Sequence, residues 1–267
     1  MRHAVFLPPV GPLADVRALM DLACGAEEHG WDGFFVWDHV LRPAGEPAEI
    51  ADPWVALSAI AAVTSRIRIG PMVTPIVRRR PQKLARETVT LDHLSRGRLV
   101  LGMGLGVDSA GELSGFDEPT DARERGDILD EGLDLLGALW SGDTVHHRGR
   151  FFVADGVAFL PRPFQRPRIP VWLAARGDAR RPVRRAARWD GLFPIEVDLD
   201  RFGRMVDLVV EARGDLDNFD IAVRADPGVD LGAFAARGAT WALTRLDPGV
   251  TVAAVAAMIS LGPGASG

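Results

Sequence analysis

Short apolar runs alternate with amphipathic stretches along the whole chain. The first run, His3–Pro9, has the length of a buried strand, and the next stretch, 15–29, has helical spacing of apolar side chains and ends at Gly30. The predicted strands are 3–9, 33–39, 67–75, 99–106, 170–175, 191–197, 220–226 and 240–246. The predicted helices are 15–29, 53–63, 81–94, 122–140, one through 184–189, 201–213, 231–236 and 250–259. Apolar strands that alternate with helices pair in parallel.

About eight strands and eight helices follow one another without a linker or a low-complexity segment. Eight such units in 267 residues fit a closed (β/α)8 TIM barrel better than an open doubly wound sheet. An open sheet usually carries a glycine-rich loop after its first strand, where this chain has LPPVGPL. We therefore predict an α/β protein with one barrel domain over residues 1–267 and a hairpin excursion at 144–163, after the fourth helix. Catalytic groups of such a barrel lie at the carboxyl ends of its strands.

Composition excludes several classes of function. The net charge of −5 opposes binding to nucleic acid or to an anionic membrane. No apolar run is long enough to span a bilayer and no signal peptide precedes the first strand, so we expect a cytoplasmic protein. Cys24 is the single cysteine, which excludes an internal disulfide and a thiolate zinc site. With no tyrosine and Lys83 as the single lysine, histidine and the carboxylates remain as acid–base groups.

The segment LVLGMGLGVD, Leu99–Asp108, places three glycines at alternate positions of the fourth strand. Side chains alternate between the faces of a strand, so Gly102, Gly104 and Gly106 share one face. If that face points into the barrel, a flat ring system fits against the bare backbone at the barrel mouth. Tight packing of the strand explains the same glycines without a ligand. The spacing G-x-G-x-G lacks the G-x-x-G step of a dinucleotide-binding loop.

Three polar segments end predicted strands and therefore share one rim. Asp38 and His39 end the second strand, where a histidine either exchanges protons near neutral pH or caps the strand. The arginine run 78–80 follows the third strand; we expect a solvated loop there, and an anion site is the alternative. A third segment ends the fifth strand before a helix, where backbone amides can bind a phosphate; its residues are Ala175, Arg176 and Gly177.

A glycosidase with paired carboxylates is a second interpretation of this rim. Asp108 ends the fourth strand and Asp226 ends the seventh, and such an enzyme uses two carboxylates that flank its substrate. Asp226 also begins an Asp-Pro-Gly turn, where aspartate is favoured for local hydrogen bonding alone. Asp108 likewise heads a polar loop, so both residues have a structural explanation as well.

Seven segments occur in order along nearly the whole chain: GWDGFFVWDHV, DPWVALSAIAAVTSRIRIGPMVTP, RRRPQKLARETVTLDHLSRGRLVLGMGLG, LDEGLDLLGALWSG, QRPRIPVWLA, RRAARWDGLFP and GATWALTRLDPG. Together they resemble the luciferase-like monooxygenase family of flavin-dependent oxidoreductases. The resemblance implies a luciferase-like (β/α)8 barrel that binds FMN or the deazaflavin F420 at its carboxyl-terminal rim. It also implies that the glycine face leaves room for the cofactor ring.

The resemblance assigns roles to several residues of the rim. His39 matches the histidine that lies beside the reactive ring carbon in F420-using members, and Asp38 matches a residue next to the cofactor. A non-proline cis peptide that supports the ring falls at Met72–Val73. The cofactor phosphate is expected on the backbone of the segment 175–177.

The expected activity is the oxidation or reduction of a small organic molecule. With reduced FMN, oxygen would be added to the substrate; with F420, hydride transfer is expected, because the deazaflavin reacts poorly with oxygen. The family's sugar-phosphate dehydrogenases place a glutamate after the glycine-rich strand, where this chain has Val107, so a sugar phosphate is not expected. The insertion loops are short, which predicts an open rim. A flavin-binding protein without catalytic activity is the alternative from another class.

The predicted helix 53–63, PWVALSAIAAV, carries Ser58 as its single polar side chain. A barrel helix buries one face on the strands and normally shows a polar face to water. A second apolar face of this kind marks an interaction site. We therefore expect a homodimer formed through the helices after the second and third strands, which the resemblance also implies. Coverage of this face by another part of the same chain is the alternative.

Overall fold

The computed structural model describes residues 1–43, 45–46, 48–177 and 179–264, so the last three residues of the predicted domain 1–267 lie outside it. The strands are β1 (Arg2–Leu7), β2 (Gly33–Val36), β3 (Arg68–Pro71), β4 (Thr74–Pro75), β5 (Leu101–Gly104), β6 (Thr144–Arg148), β7 (Val153–Ala158), β8 (Val171–Arg176), β9 (Gly191–Ile195), β10 (Asp220–Arg224) and β11 (Trp241–Arg245). The helices are α1 (Val16–Glu28), α2 (Pro53–Val63), α3 (Pro81–Leu94), α4 (Ala122–Ser141), α5 (Arg180–Ala186), α6 (Leu199–Arg213), α7 (Leu231–Ala236) and α8 (Val252–Ser260).

The parallel strands close into a barrel. Their order is β3-β2-β1-β11-β10-β9-β8-β5-β4. β3 and β4 are two parts of the third predicted strand, separated by Met72 and Val73, and they pair with β2 and β5 respectively. With these two parts counted as one, the described residues form eight barrel strands, and the predicted (β/α)8 fold is confirmed. The predicted hairpin is present as the antiparallel pair β6–β7.

An aromatic layer fills the barrel axis below its carboxyl-terminal mouth. Phe35, Trp172 and Trp241 lie in it with ring centroids 5.5–5.9 Å apart. Because these rings occupy the interior of the lower barrel, space for a ligand remains at the carboxyl ends of the strands. None of the helices in the described part of the chain combines the length and the hydropathy needed to cross a bilayer.

The glycine face of β5 points into the barrel. Leu101 and Met103 pack outward with the large core between the strands and the helices, whereas Val100, on the opposite face, belongs to the cluster inside the barrel. Side chains alternate along a strand, so Gly102 and Gly104 share the inward face with Val100. The sequence pattern left this orientation open, and the barrel core decides it.

Glu27, in the last turn of α1, holds the loop between α2 and β3. Its carboxylate accepts hydrogen bonds from the backbone N–H groups of Ser65, Arg66 and Ile67 at 2.6–3.0 Å. The hydroxyl of Ser65 donates to the same carboxylate. Burial raises the pKa of Glu27, but these donors outweigh it and lower the pKa to about 2.

Replacement Glu27→Gln should lower the free energy of unfolding at neutral pH by about 1–2 kcal/mol, because a neutral amide accepts weaker hydrogen bonds. A carboxylate with a lowered folded-state pKa stabilises the protein above its unfolded-state pKa near 4.5, and this contribution is lost as the pH falls toward about 2. The difference between the two proteins should therefore shrink as the pH falls below 4.5. Urea-unfolding midpoints across this range measure it, with the exposed Glu28→Gln as the matched control. Equal midpoints for Glu27→Gln and wild type at neutral pH would contradict the assignment.

Candidate active site

A cavity of about 480 Å³ opens at the carboxyl ends of the barrel strands, a volume typical of small-molecule sites. The predicted site residues that line it are Asp38, His39, Met72, Val73, Gly104, Gly106 and Arg176. Gly102, Ala175 and Gly177 lie outside its lining. The barrel therefore brings most of the predicted residues together at one place.

The glycines of the fourth barrel strand pack closely against the neighbouring third strand. A Cβ atom on Gly102 would overlap the carbonyl oxygen of Pro71, and one on Gly104 would lie 2.6 Å from Val73 Cγ2. Gly106 has φ +75°, a backbone conformation that favours glycine. The packing explanation thus holds at Gly102, which corrects the interpretation that all three glycines leave room for a ring. Gly104 and Gly106 do border the cavity.

The end of β8 presents a different alanine from the one predicted. Ala174 lines the cavity, whereas Ala175 is 2% exposed and packs outward, because neighbouring residues of a strand face opposite sides. Arg176 lines the cavity and donates a hydrogen bond to Glu196 at 3.0 Å. Gly177 lines a neighbouring cavity of about 600 Å³. A phosphate on the backbone of this segment stays a prediction.

His39 is hydrogen-bonded to a buried glutamate. Its Nδ1 lies 2.8 Å from Oε2 of Glu112, whose other oxygen accepts the backbone N–H groups of Val40 and Leu41. The Glu112 side chain is 3% exposed, and that of His39 is 31% exposed. Burial raises the pKa of Glu112, but the hydrogen bond and charge of His39, together with the two amides, lower it below its usual range. Glu112 is therefore an anion at neutral pH.

This pairing fixes which ring nitrogen of His39 is available. An ionised carboxylate only accepts hydrogen bonds, so Glu112 requires the proton on Nδ1. The lone pair of the neutral ring is then on Nε2, which has no hydrogen-bond partner within the described ranges of the chain. Such a nitrogen removes a proton from a hydroxyl group or, once protonated, returns it to a carbonyl oxygen.

Sequence reasoning missed Glu112. The expected place for a glutamate holds Val107, and Glu112 lies further along a polar loop that carries no motif. The loop returns toward His39 because Asp108 accepts the backbone N–H groups of Leu113 and Ser114 and so closes a tight turn. Glu112 thus brings a glutamate to the cavity from another position, so Val107 does not exclude a site that contains a glutamate.

Asp38 is a buried anchor for the arginines of the third strand. Its carboxylate accepts hydrogen bonds from Thr74 at 2.7 Å, Arg78 at 3.0 Å and Arg79 at 2.9 Å. Arg78 also donates to the backbone carbonyl of Asp38 at 2.7 Å. Both arginine side chains are largely buried, so the expectations of a solvated loop and of a free anion site are wrong at these two positions. This network fixes the backbone that carries His39.

The two carboxylates of the glycosidase interpretation have structural roles. Asp108 caps its own loop through Leu113 and Ser114, and the hydrogen bond from the Leu113 amide is the main cause that lowers the pKa of Asp108. A general acid requires a raised pKa instead. Asp226 lies 2.6 Å from Arg224. Both residues lie outside the lining of the cavity, so the geometry does not support a glycosidase.

The cavity fits a flat, mostly apolar ring on one side. Met72 and Val73 interrupt the third barrel strand, and the peptide bond between them is cis, at the position that the resemblance implied. With Gly104, Gly106 and Ala174 they form one wall of the cavity, in which Met72 is the single long side chain. A deazaflavin or flavin ring needs such a wall, and His39 lines the same cavity.

Comparisons with known proteins agree with this arrangement. The F420-dependent glucose-6-phosphate dehydrogenase of Nakamurella multipartita is 36% identical over 165 residues, which are 60% of this chain and 47% of that enzyme. The chain thus spans about half the length of this relative. An F420-dependent secondary alcohol dehydrogenase, solved with an F420-acetone adduct, superposes with a TM-score of 0.82 at 17% identity and 98% coverage of both chains.

A monooxygenase of Streptomyces bottropensis superposes with a TM-score of 0.80 at 20% identity, over 98% of this chain and 97% of that one. These two structural matches show the shared fold. A sequence profile described as luciferase-like monooxygenase matches residues 1–244. The chain therefore belongs to the luciferase-like monooxygenase family.

Proposed function

We propose that this protein is an F420-dependent oxidoreductase that interconverts a hydroxyl and a carbonyl group on a small organic substrate. The observation that carries the proposal is His39, which lines the cavity and is held by the buried anion Glu112. The names of the Nakamurella relative and of the F420-dependent alcohol dehydrogenase support hydride transfer rather than oxygenation.

His39 supplies the proton chemistry in this proposal. In the direction of oxidation, its Nε2 accepts the proton of the substrate hydroxyl group as the C–O bond becomes a carbonyl. Glu112, an anion 2.8 Å from Nδ1, stabilises the imidazolium that results. In the direction of reduction the imidazolium returns the proton to the carbonyl oxygen. The bound cofactor supplies the acceptor of the substrate hydride in the first case and its donor in the second.

The cofactor ring is assigned to the wall of Met72, Val73, Gly104, Gly106 and Ala174. Arg176, also in the cavity lining, is assigned to its anionic tail. Asp38 has an indirect role, because its buried contacts with Thr74 and the arginines of the third strand hold the backbone next to His39.

Titration of the purified protein with F420 and with FMN tests this proposal. Trp37 lines the cavity, so quenching of tryptophan fluorescence is expected on binding of F420. FMN should bind more weakly. Isopropanol and glucose 6-phosphate then serve as first substrates in an anaerobic assay of F420 absorbance. Tight binding of FMN with consumption of oxygen would indicate a monooxygenase instead, and the lack of binding of either cofactor would reject both.

We also propose that the protein is a homodimer through α2 and α3, the helices after the second and third barrel strands. On α2, Val55 and Val63 are 64% and 41% exposed, so the described residues leave these apolar side chains uncovered. Sedimentation equilibrium should give twice the chain mass of 28.8 kDa. Val55→Glu should shift the protein to the monomer, whereas Val153→Glu, at an equally exposed valine of the hairpin, should not. A wild-type protein that sediments at the mass of one chain would rule out the dimer.

A further inference from the structure

Two arginines lie at the cavity on the side opposite the interrupted third strand. Arg224 ends β10 and Arg245 ends β11, and both line the cavity. These strands are the seventh and eighth of the closed barrel, so they face the third and fourth strands across its mouth. Val73 and Gly104 lie on or beside those facing strands. The arginines are therefore on the far side of the cavity from the wall assigned to the cofactor ring.

Each guanidinium has one aspartate of its own chain beside it. Arg224 Nη2 lies 2.6 Å from Asp226 Oδ2, and Arg245 Nη2 lies 2.7 Å from Asp247 Oδ1. Beyond these two aspartates, no acceptor among the described residues pairs with either guanidinium, and Arg224 Nε is buried without a partner there. The Asp247 side chain is 73% exposed, so solvent screens its charge. Most of the five N–H donors on each guanidinium remain for a ligand.

Aromatic rings lie between Arg245 and the acid–base residue His39. Phe6 lies 5.9 Å from both Trp37 and Phe193, measured between ring centroids. Trp37 lies 5.8 Å from the ring of His39 and 5.4 Å from the guanidinium carbon of Arg245. Trp37 is thus close to both His39 and Arg245, and all three line the same cavity.

We infer that the substrate is a small organic anion, a short hydroxy or oxo acid whose carboxylate binds Arg224 and Arg245. This inference rests on the proposed function and adds the class of substrate. A guanidinium presents paired N–H donors that match the two oxygens of a carboxylate. The hydroxyl carbon of such an acid lies beside Trp37, with the hydroxyl group toward His39.

Oxidation of the hydroxy acid in this site needs no reactant besides the bound cofactor. The hydroxyl carbon loses its hydrogen with two electrons to the bound cofactor, the hydroxyl oxygen loses its proton to His39 Nε2, and the C–O bond becomes a carbonyl. The carboxylate is unchanged and serves as the handle. Since the cavity of about 480 Å³ also has to hold the cofactor ring, the acid has to be small.

Binding of oxamate and of its uncharged analogue oxamide tests the inference. Both are titrated into the protein with and without F420, with tryptophan fluorescence as the signal. Oxamate should bind at least about 10-fold more tightly than oxamide, because charge-assisted hydrogen bonds are the stronger ones. The double variant Arg224→Met, Arg245→Met should lose about 10- to 100-fold in affinity for oxamate and leave oxamide unchanged. The variant with lysine at both positions should recover part of it.

Arg188→Met, which removes an exposed arginine paired with Asp134 on the outer surface, is the matched control and should bind oxamate as the wild type does. Circular dichroism and the melting temperature check that each variant is folded. If inorganic phosphate binds more tightly than oxamate, and the double variant loses affinity for phosphate, the arginines form an anion site for a phosphate group. The inference of a carboxylate would then be wrong.

Three other results would overturn the inference. They are equal affinity for oxamate and oxamide, a folded double variant that binds oxamate like the wild type, and a double variant that loses F420 but retains the tail-free deazaflavin nucleoside. The last result would assign the arginines to the cofactor tail. If either of the first two results is found while F420 still binds, the inference fails and the proposed function stands. Failure of the inference is therefore distinguishable from failure of the proposed function.

Discussion

Replacement of His39 by alanine is expected to lower turnover by about 10²–10⁴-fold, the usual contribution of a positioned acid or base. F420 should still bind, because the wall assigned to its ring consists of other residues. The fold should also persist, since His39 follows the end of β2. Steady-state kinetics on the first substrate identified, together with a fluorescence titration of F420, measure the two effects separately.

His146→Ala is the matched control for this variant. His146 also pairs with a carboxylate, Asp155 at 3.0 Å, but it lies on the exposed hairpin away from the cavity. Its removal should leave turnover unchanged. Glu112→Gln should also reduce turnover, because an amide no longer requires the proton on Nδ1, but the loss should be smaller than for His39→Ala, since the base itself remains. If His39→Ala turns over at the wild-type rate, the histidine has no catalytic role.

Gly102→Ala should destabilise the protein by about 3 kcal/mol, at the upper end of ordinary overpacking. The added methyl group would overlap the carbonyl oxygen of Pro71, and a backbone cannot move aside cheaply in a closed barrel. Gly104→Ala should cost less, because the obstacle 2.6 Å away is the side-chain atom Val73 Cγ2. Thermal unfolding of both variants, with and without F420, measures the difference.

The valine offers a direct check on this explanation. In a Val73→Ala background the nearest atoms to a methyl group on Gly104 would be the Cβ atoms of Ala174 at 3.4 Å and of residue 73 at 3.6 Å, so Gly104→Ala should then be tolerated. Gly102→Ala should stay destabilising in the same background. Gly137→Ala on α4, with its nearest contact at 3.7 Å, is the control and should not destabilise the protein, because alanine is the better helix former. Equal costs for Gly102→Ala and Gly104→Ala in both backgrounds would reject the packing account.

The order of secondary structure was readable from the chain because each element carries its own periodicity. Apolar runs and helical stretches alternate eight times without a linker, and parallel pairing with closure follows from that order. The position of His39 at the rim followed in the same way, since it ends a strand. The cis peptide at Met72–Val73 did not follow from periodicity, and the resemblance alone pointed to it; the break of the third strand there was not predicted.

The sequence by itself determined the barrel, the rim and the residues that end its strands, since these depend on local pattern and on chain order. The tertiary structure decided which side chains meet. Glu112 reaches His39 through the folding of a loop without a motif, and the arginines of the third strand turn inward because Asp38 is buried beside them. Arg224 and Arg245 line the same cavity because β10 and β11 pair in parallel and end at the same rim, and closure of the barrel places that rim opposite the third strand. Contacts between distant segments depend on three-dimensional packing, and a hydrophobic pattern does not predict them.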